Sequence, residues 1–463
     1  MSFEREIRRI LFGLLLGLLV VMGSAAYWAS AGPESLLLRD DNPRRVEFLR
    51  SIRRGAIYDA SQTLLAHSVV DAGRFPVRVY PEPAFFGTIG YYSFRYGTGG
   101  VEAFYDDLLS GRDEALTWER WWRENMLGLP RLGADVRLTM RSDLQTAASD
   151  ALHGRRGVII ALNAERGDIL ALVSRPTYDP NVLDEQWAEL SRSPENPFFN
   201  RALQGRYQPG SALYLPIVVL GHLGNADFTT LINAADAPLL IDDLLIRCVV
   251  EPPASDITLA EALSYGCPSG TVELLKSLDL NAVQSTLASF GLGAVPPVDD
   301  TSAMLAEVHI SNPQPALTLS DLLGQGWITV NPLAFSRFLA ALVNEGAAPS
   351  LRLAEAVRPA GSDWRLLPRS HRTSSLVTQG AAARAREWLL ATGALLGLPE
   401  TMGGYVAAAR SGGETQVWFV GFTSQTPDQM VVLVILENTA DVSEALRIGE
   451  ALMRTYVEAS STP

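Results

Sequence analysis

Residues 157–174 read Gly-Val-Ile-Ile-Ala-Leu-Asn-Ala-Glu-Arg-Gly-Asp-Ile-Leu-Ala-Leu-Val-Ser. Two apolar runs, Gly157–Asn163 and Asp168–Ser174, are joined by a short Ala-Glu-Arg-Gly turn, and this pattern predicts a β-hairpin. A second hairpin is predicted near the C-terminus from Gln416–Thr423 and Met430–Glu437. Because strands at both ends of this region enclose helical segments, we expect one antiparallel sheet built from distant segments and covered by helices. The predicted fold class is therefore α/β, of the α+β kind.

The pattern of predicted strands and helices along the sequence also indicates a division into domains. Val136–Met140 reads as a strand and Ser142–Leu152 as a helix, whereas the preceding hundred residues contain only short strand-like runs cut by Gly and Pro. We therefore expect three parts: residues 1–32 with an apolar helix, a small mixed domain over 33–134, and a larger domain over 135–463.

The composition is that of a folded, acidic protein. The chain has 463 residues, 47% of them hydrophobic, and a formal net charge of −13. Such a length provides real cores, and the absence of a concentrated basic face argues against a nucleic-acid partner. Lys276 is the only lysine. Every other strongly basic residue is arginine, which stays protonated and cannot act as a base.

An uncharged N-terminal stretch predicts a membrane anchor. No charged residue lies between Arg9 and Glu34, and Ile10–Ala29 is long enough to span a bilayer as one helix. The arginines before it predict a cytoplasmic N-terminus and place the bulk of the chain outside the cytoplasm. An alternative is a signal peptide cleaved after the Ala29–Ala31 stretch, although the apolar run is long for one.

Two cysteines, Cys248 and Cys267, lie in one segment. They are a candidate disulfide if the domain is outside the cytoplasm, where the redox environment permits one. The cysteines and the five scattered histidines show no spacing typical of a zinc site, so we expect no metal.

Several stretches together resemble the class B penicillin-binding proteins. Arg54–Asp59 (Arg-Gly-Ala-Ile-Tyr-Asp) is similar to the opening of that family's pedestal, a dimerisation-like domain. Asn200–Gly205, followed by Tyr207 and Pro209–Ser211, is similar to the stretch that carries its nucleophilic serine. Trp418–Phe422 continues the match in the family's order. The resemblance implies a transpeptidase domain with a β-lactamase-like fold behind the pedestal and one transmembrane helix.

In that family the nucleophile lies in Ser-x-x-Lys, where the lysine activates the hydroxyl. The matching residues here are Ser211–Tyr214, so Ser211 holds the vestigial nucleophile position and Tyr214 replaces the lysine. A tyrosine, with an ordinary pKa of about 10, is a weak substitute unless nearby cations depress that pKa. Ser211 has an alternative role as the N-cap of a helix.

The other two motifs of the family are also altered. Ser-x-Asn is matched by Gly266–Pro268, with Ser264 and Ser269 as displaced substitutes, and Lys276 further on reads as an exposed helical residue. Lys-Thr-Gly is matched by Arg410-Ser411-Gly412, which keeps a cation, a hydroxyl and a glycine. Because arginine binds carboxylates bidentately, we predict a ligand-binding site there, or else a surface ion pair or a strand edge.

The sequence therefore predicts a membrane-anchored homologue in peptidoglycan synthesis that is catalytically inactive and acts as a scaffold or binding partner. One alternative is a weak D,D-transpeptidase or hydrolase that forms an acyl-enzyme at Ser211. Another is a noncovalent muropeptide receptor that uses Arg410. The resemblance implies peptidoglycan or β-lactam as ligands, protein partners from the wall-synthesis or division machinery, and no cofactor.

Overall fold

The structure is a computed structural model that describes residues 3–30, 49–70, 75–113, 118–241, 243–299, 317–369, 374–411, 413–424 and 428–461. Helix α1 (Phe3–Ser30) is N-terminal, and its stretch Ile7–Tyr27 is long and apolar enough to cross a membrane. None of that stretch is buried within the protein. The predicted apolar helix over Ile10–Ala29 is therefore present.

A small mixed unit follows. Its elements in chain order are β1 (Ile57–Tyr58), β2 (Leu64–Val69), β3 (Val77–Val79), α2 (Phe86–Ile89), β4 (Tyr91–Ser93), β5 (Gly97–Gly99), α3 (Val101–Phe104), α4 (Asp106–Leu109), α5 (Trp118–Asn125) and β6 (Asp135–Leu138). Its interior contains a charged cluster in which Arg54 and Arg78 both donate to the fully buried carboxylate of Glu102. Pairing of this kind is what allows a carboxylate to be buried.

The larger unit contains the remaining elements. They are α6 (Ser142–Ala151), β7 (Gly157–Asn163), β8 (Ile169–Arg175), α7 (Leu183–Leu190), α8 (Arg201–Gln204), α9 (Tyr214–Leu223), β9 (Leu231–Ile232), β10 (Leu239–Ile241), β11 (Leu244–Ile246), β12 (Ile257–Thr258), α10 (Leu259–Ser264), α11 (Pro268–Lys276), α12 (Leu280–Ser289), α13 (Leu319–Leu322), α14 (Pro332–Val343), β13 (Ala347–Ala348), β14 (Ala354–Arg358), β15 (Arg365–Leu366), β16 (Ser374–Ser375), α15 (Gln379–Leu395), β17 (Met402–Ser411), β18 (Glu414–Thr423), β19 (Met430–Leu436) and α16 (Val442–Ser461).

The central sheet has five antiparallel strands in the order β17-β18-β19-β7-β8. Both predicted hairpins are present, and the C-terminal one pairs directly with the first through β19 and β7. The prediction of one antiparallel sheet from distant segments is confirmed. Strand β17 forms one edge of this sheet; a strand edge was an alternative for Arg410 alone, and the rest of β17 was not predicted.

A second sheet joins the two units. Its order is β15-β14-β6-β1-β2-β3, and β6 runs parallel to β1 and antiparallel to β14. The strand predicted over Val136–Met140 thus exists as β6 but pairs with the small unit and not with the central sheet.

Helices cover both faces of the central sheet. On one face, α6 and α16 pack through buried residues such as Leu144 and Met453. On the other, α9, α14 and α15 bury a larger cluster that includes Tyr214 and Phe335. Strands β7 and β19 are buried along their whole length, which is why their sequences are continuously apolar and do not alternate.

Candidate functional site

Ser211 lies in a single 3₁₀ turn, Gly210–Leu213, that leads directly into α9 and packs against the edge of β17. The turn requires glycine at position 210, because its φ is +53° and an added Cβ would come within 2.1 Å of the Ala408 carbonyl oxygen. The Pro-Gly-Ser sequence therefore presses the serine against the strand.

The Ser211 hydroxyl is engaged by that strand. Its Oγ accepts a 3.0 Å hydrogen bond from the Ala408 amide and lies 3.4 Å from the Ala408 carbonyl oxygen, and the residue is only 4% exposed. The predicted N-cap role is wrong, because the turn begins at Gly210 after Pro209 and the hydroxyl bonds across to the sheet. The oxygen that a nucleophile must present is already used as an acceptor within the fold.

Tyr214 is the first residue of α9 and is almost completely buried. Burial raises its pKa well above the ordinary value of a phenol. The condition under which a tyrosine could replace the family's lysine was a pKa depressed by nearby cations. The shift has the opposite direction, so Tyr214 is neutral at physiological pH.

Tyr405 on β17 is a site residue that the sequence did not reveal. Its hydroxyl donates a 3.0 Å hydrogen bond to the Ser211 carbonyl oxygen, and the side chain is fully buried. Burial raises its pKa, and the neighbouring Tyr214 phenol raises it further. Ser211 is thus flanked by two buried, neutral phenols.

The second-motif position lies beside Tyr405 and is covered. An added Cβ on Gly266 would lie 2.6 Å from the Val249 side chain and 3.4 Å from the Tyr405 hydroxyl. The Val249 and Val250 amides both donate to the Tyr265 carbonyl, and a disulfide joins Cys248 to Cys267. The segment around Val249 therefore covers Gly266, the predicted second-motif position.

The hydroxyls that were considered as displaced substitutes bond elsewhere. Ser264 contacts the Thr392 hydroxyl and donates to the Ala260 carbonyl, and Ser269 donates to the Ala235 carbonyl. Pro268 begins α11. Lys276, at the end of that helix, is 65% exposed and pairs with Glu273, which confirms the expectation of a surface lysine.

Arg410 lies two residues beyond Ala408, near the end of β17, with an exposed side chain. Its amide donates to the Gln325 side-chain oxygen. Ser411 ends the strand opposite Glu414, and Gly412 falls outside the described residues. On β17 the hydrogen-bond partners of Ser211 are Tyr405 and Ala408, and ligand binding at Arg410 stays a prediction.

The family-like stretch before the serine has a structural role. Arg201 is buried and donates to Glu437 at 3.1 Å, and the Tyr207 hydroxyl donates to the same carboxylate at 2.7 Å. These contacts tie the approach to Ser211 to the end of β19. Within the described residues no group of three His, Cys, Asp or Glu side chains is arranged to hold a metal ion.

Comparison with known families matches both units. The profile described as the penicillin binding protein transpeptidase domain matches residues 157–385. The profile described as the penicillin binding protein A dimerisation domain matches residues 54–136. Together with the five-stranded sheet and the buried serine turn, these matches define a penicillin-binding fold behind a pedestal.

Known relatives align with this chain over nearly its full length. The chain is 26% identical to the peptidoglycan D,D-transpeptidase PbpA of Mycolicibacterium smegmatis over 94% of each chain. It is 27% identical to a structure of penicillin-binding protein A from M. tuberculosis as an imipenem acyl-enzyme complex, with a TM-score of 0.76, covering 88% of this chain and 99% of that one. Another structure of the M. tuberculosis protein matches with 26% identity and the same TM-score, over 88% and 100% of the two chains. The chain belongs to the class B penicillin-binding proteins.

Proposed function

We propose that this protein is a catalytically inactive member of its family that serves peptidoglycan synthesis as a membrane-anchored scaffold or binding partner. The observation that carries the proposal is the state of Ser211. Its hydroxyl accepts a hydrogen bond from the Ala408 amide, Tyr214 stands where the family has lysine, and the buried Tyr405 phenol donates to the Ser211 carbonyl.

The size of the chemical loss supports inactivity. A serine hydroxyl needs a base to attack a carbonyl, and removal of a general base costs about 10²–10⁴-fold in rate. Loss of a nucleophile and base as a unit costs about 10⁶-fold. Because burial raises the pKa values of Tyr214 and Tyr405, neither phenolate is populated at neutral pH to supply that base.

The covered second-motif position supports the same conclusion. A substrate that approaches Ser211 beside Gly266 meets the Val249 side chain, which the Cys248–Cys267 disulfide fastens in place. The Ala408 and Arg410 amides of the β17 edge already bond to Ser211 and to Gln325. Edge amides in this state are not free to hold an extended peptide.

Helix α1 is proposed as a single-pass anchor, with the pedestal and the transpeptidase-like domain outside the cytoplasm. Three arginines precede its apolar stretch, which favours a cytoplasmic N-terminus. A disulfide in the large unit fits an oxidising compartment.

Turnover of a D-alanyl-D-alanine peptide by the full chain tests the proposal. The rate of D-alanine release is expected to equal that of Ser211→Ala. A release rate that depends on Ser211 would overturn inactivity and support the alternative of a weak acyl-enzyme former. That alternative is favoured by the relatives, which are named D,D-transpeptidases and include acyl-enzyme structures.

The receptor alternative rests on Arg410, whose side chain is exposed near the end of β17. Titration of muropeptides into the full chain, with Arg410→Gln as the matched variant, tests it separately. Saturable binding that the substitution weakens, without turnover, would favour the receptor role. Binding that is unchanged in Arg410→Gln would exclude Arg410 as the contact.

A further inference from the structure

Exposed apolar side chains are concentrated in the pedestal. Outside α1, half of the strongly exposed large apolar residues in the described chain lie between residues 69 and 129. Single exposed apolar residues are ordinary, whereas a cluster marks an interaction surface. The largest group, which we call the tryptophan surface, lies on α5 and the turn after it and consists of Trp118, Trp122, Met126, Leu127 and Leu129.

The tryptophan surface lies beside the segment that arrives from α1. The Arg53 amide donates to the Arg131 carbonyl at 2.8 Å, and Arg53 forms a parallel bridge with Leu132, three residues after Leu129. Eighteen residues separate the end of α1 at Ser30 from Leu49, where the described chain resumes. The chain therefore enters the pedestal at the edge of this surface.

A second exposed group contacts the same entry segment. The Arg50 guanidinium lies 4.6 Å from the ring centroid of Phe94 and 5.9 Å from that of Phe75, and both rings are partly exposed. Val70 and Val77, on either side of the β2-β3 turn, are exposed as well. Exposed aromatic rings and arginines are thus present along the entry segment.

The charge of this region is opposite to that of the whole chain. Segments 49–53 and 118–131 together carry five arginines and two glutamates, in a protein with a net charge of −13. Arg53 and Arg123 are exposed. Basic side chains beside exposed tryptophans match the chemistry of an anionic lipid surface, where the rings take the level of the headgroups.

We propose that the tryptophan surface lies on the bilayer from which α1 emerges, with Trp118 and Trp122 at headgroup level, so that the pedestal is held against the membrane and not merely tethered to it. The inference rests on the proposed anchoring by α1. It assigns the surface a lipid occupant in preference to a second copy of the chain, because the cluster adjoins the segment that comes from the membrane and carries arginines.

Quenching of tryptophan emission by lipids tests the inference in the full chain. The protein is reconstituted into nanodiscs that contain anionic phosphatidylglycerol, with or without lipids brominated on their acyl chains. Trp118→Phe/Trp122→Phe is expected to lose a large part of the quenchable emission. Trp327→Phe is the matched control, because Trp327 is 42% exposed, close to the 45% of Trp122, but lies in the large unit. This control should keep all of the quenchable emission.

The Trp118 and Trp121 rings are stacked, so their emission is not independent. Tryptophans introduced at other positions provide a test that does not depend on this pair. Leu127→Trp should add quenchable emission, whereas Leu240→Trp, on an exposed hairpin of the large unit, should not. If the double variant and Leu127→Trp leave quenching unchanged in inserted protein, the inference is overturned and a protein occupant replaces the lipid. If the chain does not enter nanodiscs at all, the anchoring itself fails.

Discussion

The Tyr405 hydroxyl donates a 3.0 Å hydrogen bond to the backbone carbonyl of Ser211, from the strand against which the serine turn packs. A phenol buried at this point, with a raised pKa, holds the serine turn in place and contributes no charge. Tyr214, three residues after the serine, is also buried, and burial raises its pKa as well. Both side chains belong to the same buried apolar cluster.

Ser211→Ala is expected to destabilise the protein. The substitution leaves the partly buried Ala408 amide without its acceptor, and an unsatisfied buried donor costs up to about 1–3 kcal/mol. The free energy of unfolding in urea should fall accordingly. Ser285→Ala, an exposed serine on α12, is the matched control and should change stability by less than about 0.5 kcal/mol. A Ser211→Ala protein as stable as the parent would mean that the hydroxyl is free.

Tyr214→Lys should not restore chemistry by itself. Among the described residues only burial and Thr271 shift the pKa of Tyr214, so an ammonium at this fully buried position has no carboxylate partner there, and burying it costs about 4 kcal/mol. We expect a lower urea midpoint and no penicillin adduct. Tyr214→Phe, which keeps the ring, should lose far less stability. A Tyr214→Lys protein that is stable and acylated would show that the pocket already accepts a cation.

Removal of the disulfide should loosen the segment that covers Gly266. Cys248 and Cys267 are 19 residues apart, and closing a loop of this size stabilises the folded state by about 3 kcal/mol. Cys248→Ala/Cys267→Ala should therefore unfold at lower urea concentration than the oxidised parent. Maleimide should label the unfolded parent only after reduction. Labelling of the unfolded parent without reduction would show that Cys248 and Cys267 do not form a disulfide.

Stability should fall in mild acid because of His222. Burial, and to a smaller extent Arg384, lower its pKa to about 4. Between its ordinary pKa near 6.5 and this lower value, the unfolded chain binds a proton that the folded chain does not. The contribution of neutral His222 to the free energy of unfolding is therefore complete above pH 6.5, and it is lost as the pH falls towards 4.

Since His222 is only partly buried, we expect this loss to be about 1–2 kcal/mol. Urea unfolding of the parent and of His222→Gln at pH 7 and pH 4.5 measures it. The free energy of unfolding of the parent, minus that of His222→Gln, should be smaller at pH 4.5 than at pH 7. A larger value of this quantity at pH 4.5 would contradict a lowered pKa of His222 in the folded state.

Much of the fold could be predicted because its signals are local. The β-branched runs of β7, β8, β18 and β19 and the short turn after Asn163 determined the two hairpins. Strand β17 escaped prediction because its sequence, Met402–Ser411, is rich in Ala and Gly, which are poor strand formers. The third motif was therefore placed at Arg410.

The missed signal was the pairing of β17 with the family-like stretch of β18. Tyr405 pairs with Val420, and Ala407 with Trp418, so the middle of β17 and not its end lies beside Ser211. The covering of Gly266 by Val249 depends on a contact between distant segments. No local sequence pattern predicts such a contact, even though the two cysteines beside it were recognised as a candidate disulfide.

The most direct measurement is intact-mass analysis of the folded full chain after incubation with an excess of fluorescent penicillin, with Ser211→Ala in parallel. Our account predicts no stable adduct on either protein, because the Ser211 hydroxyl accepts a hydrogen bond from the Ala408 amide and burial keeps Tyr214 and Tyr405 neutral. An adduct that forms on the parent and is absent from Ser211→Ala would contradict the account and identify a working acyl-enzyme former.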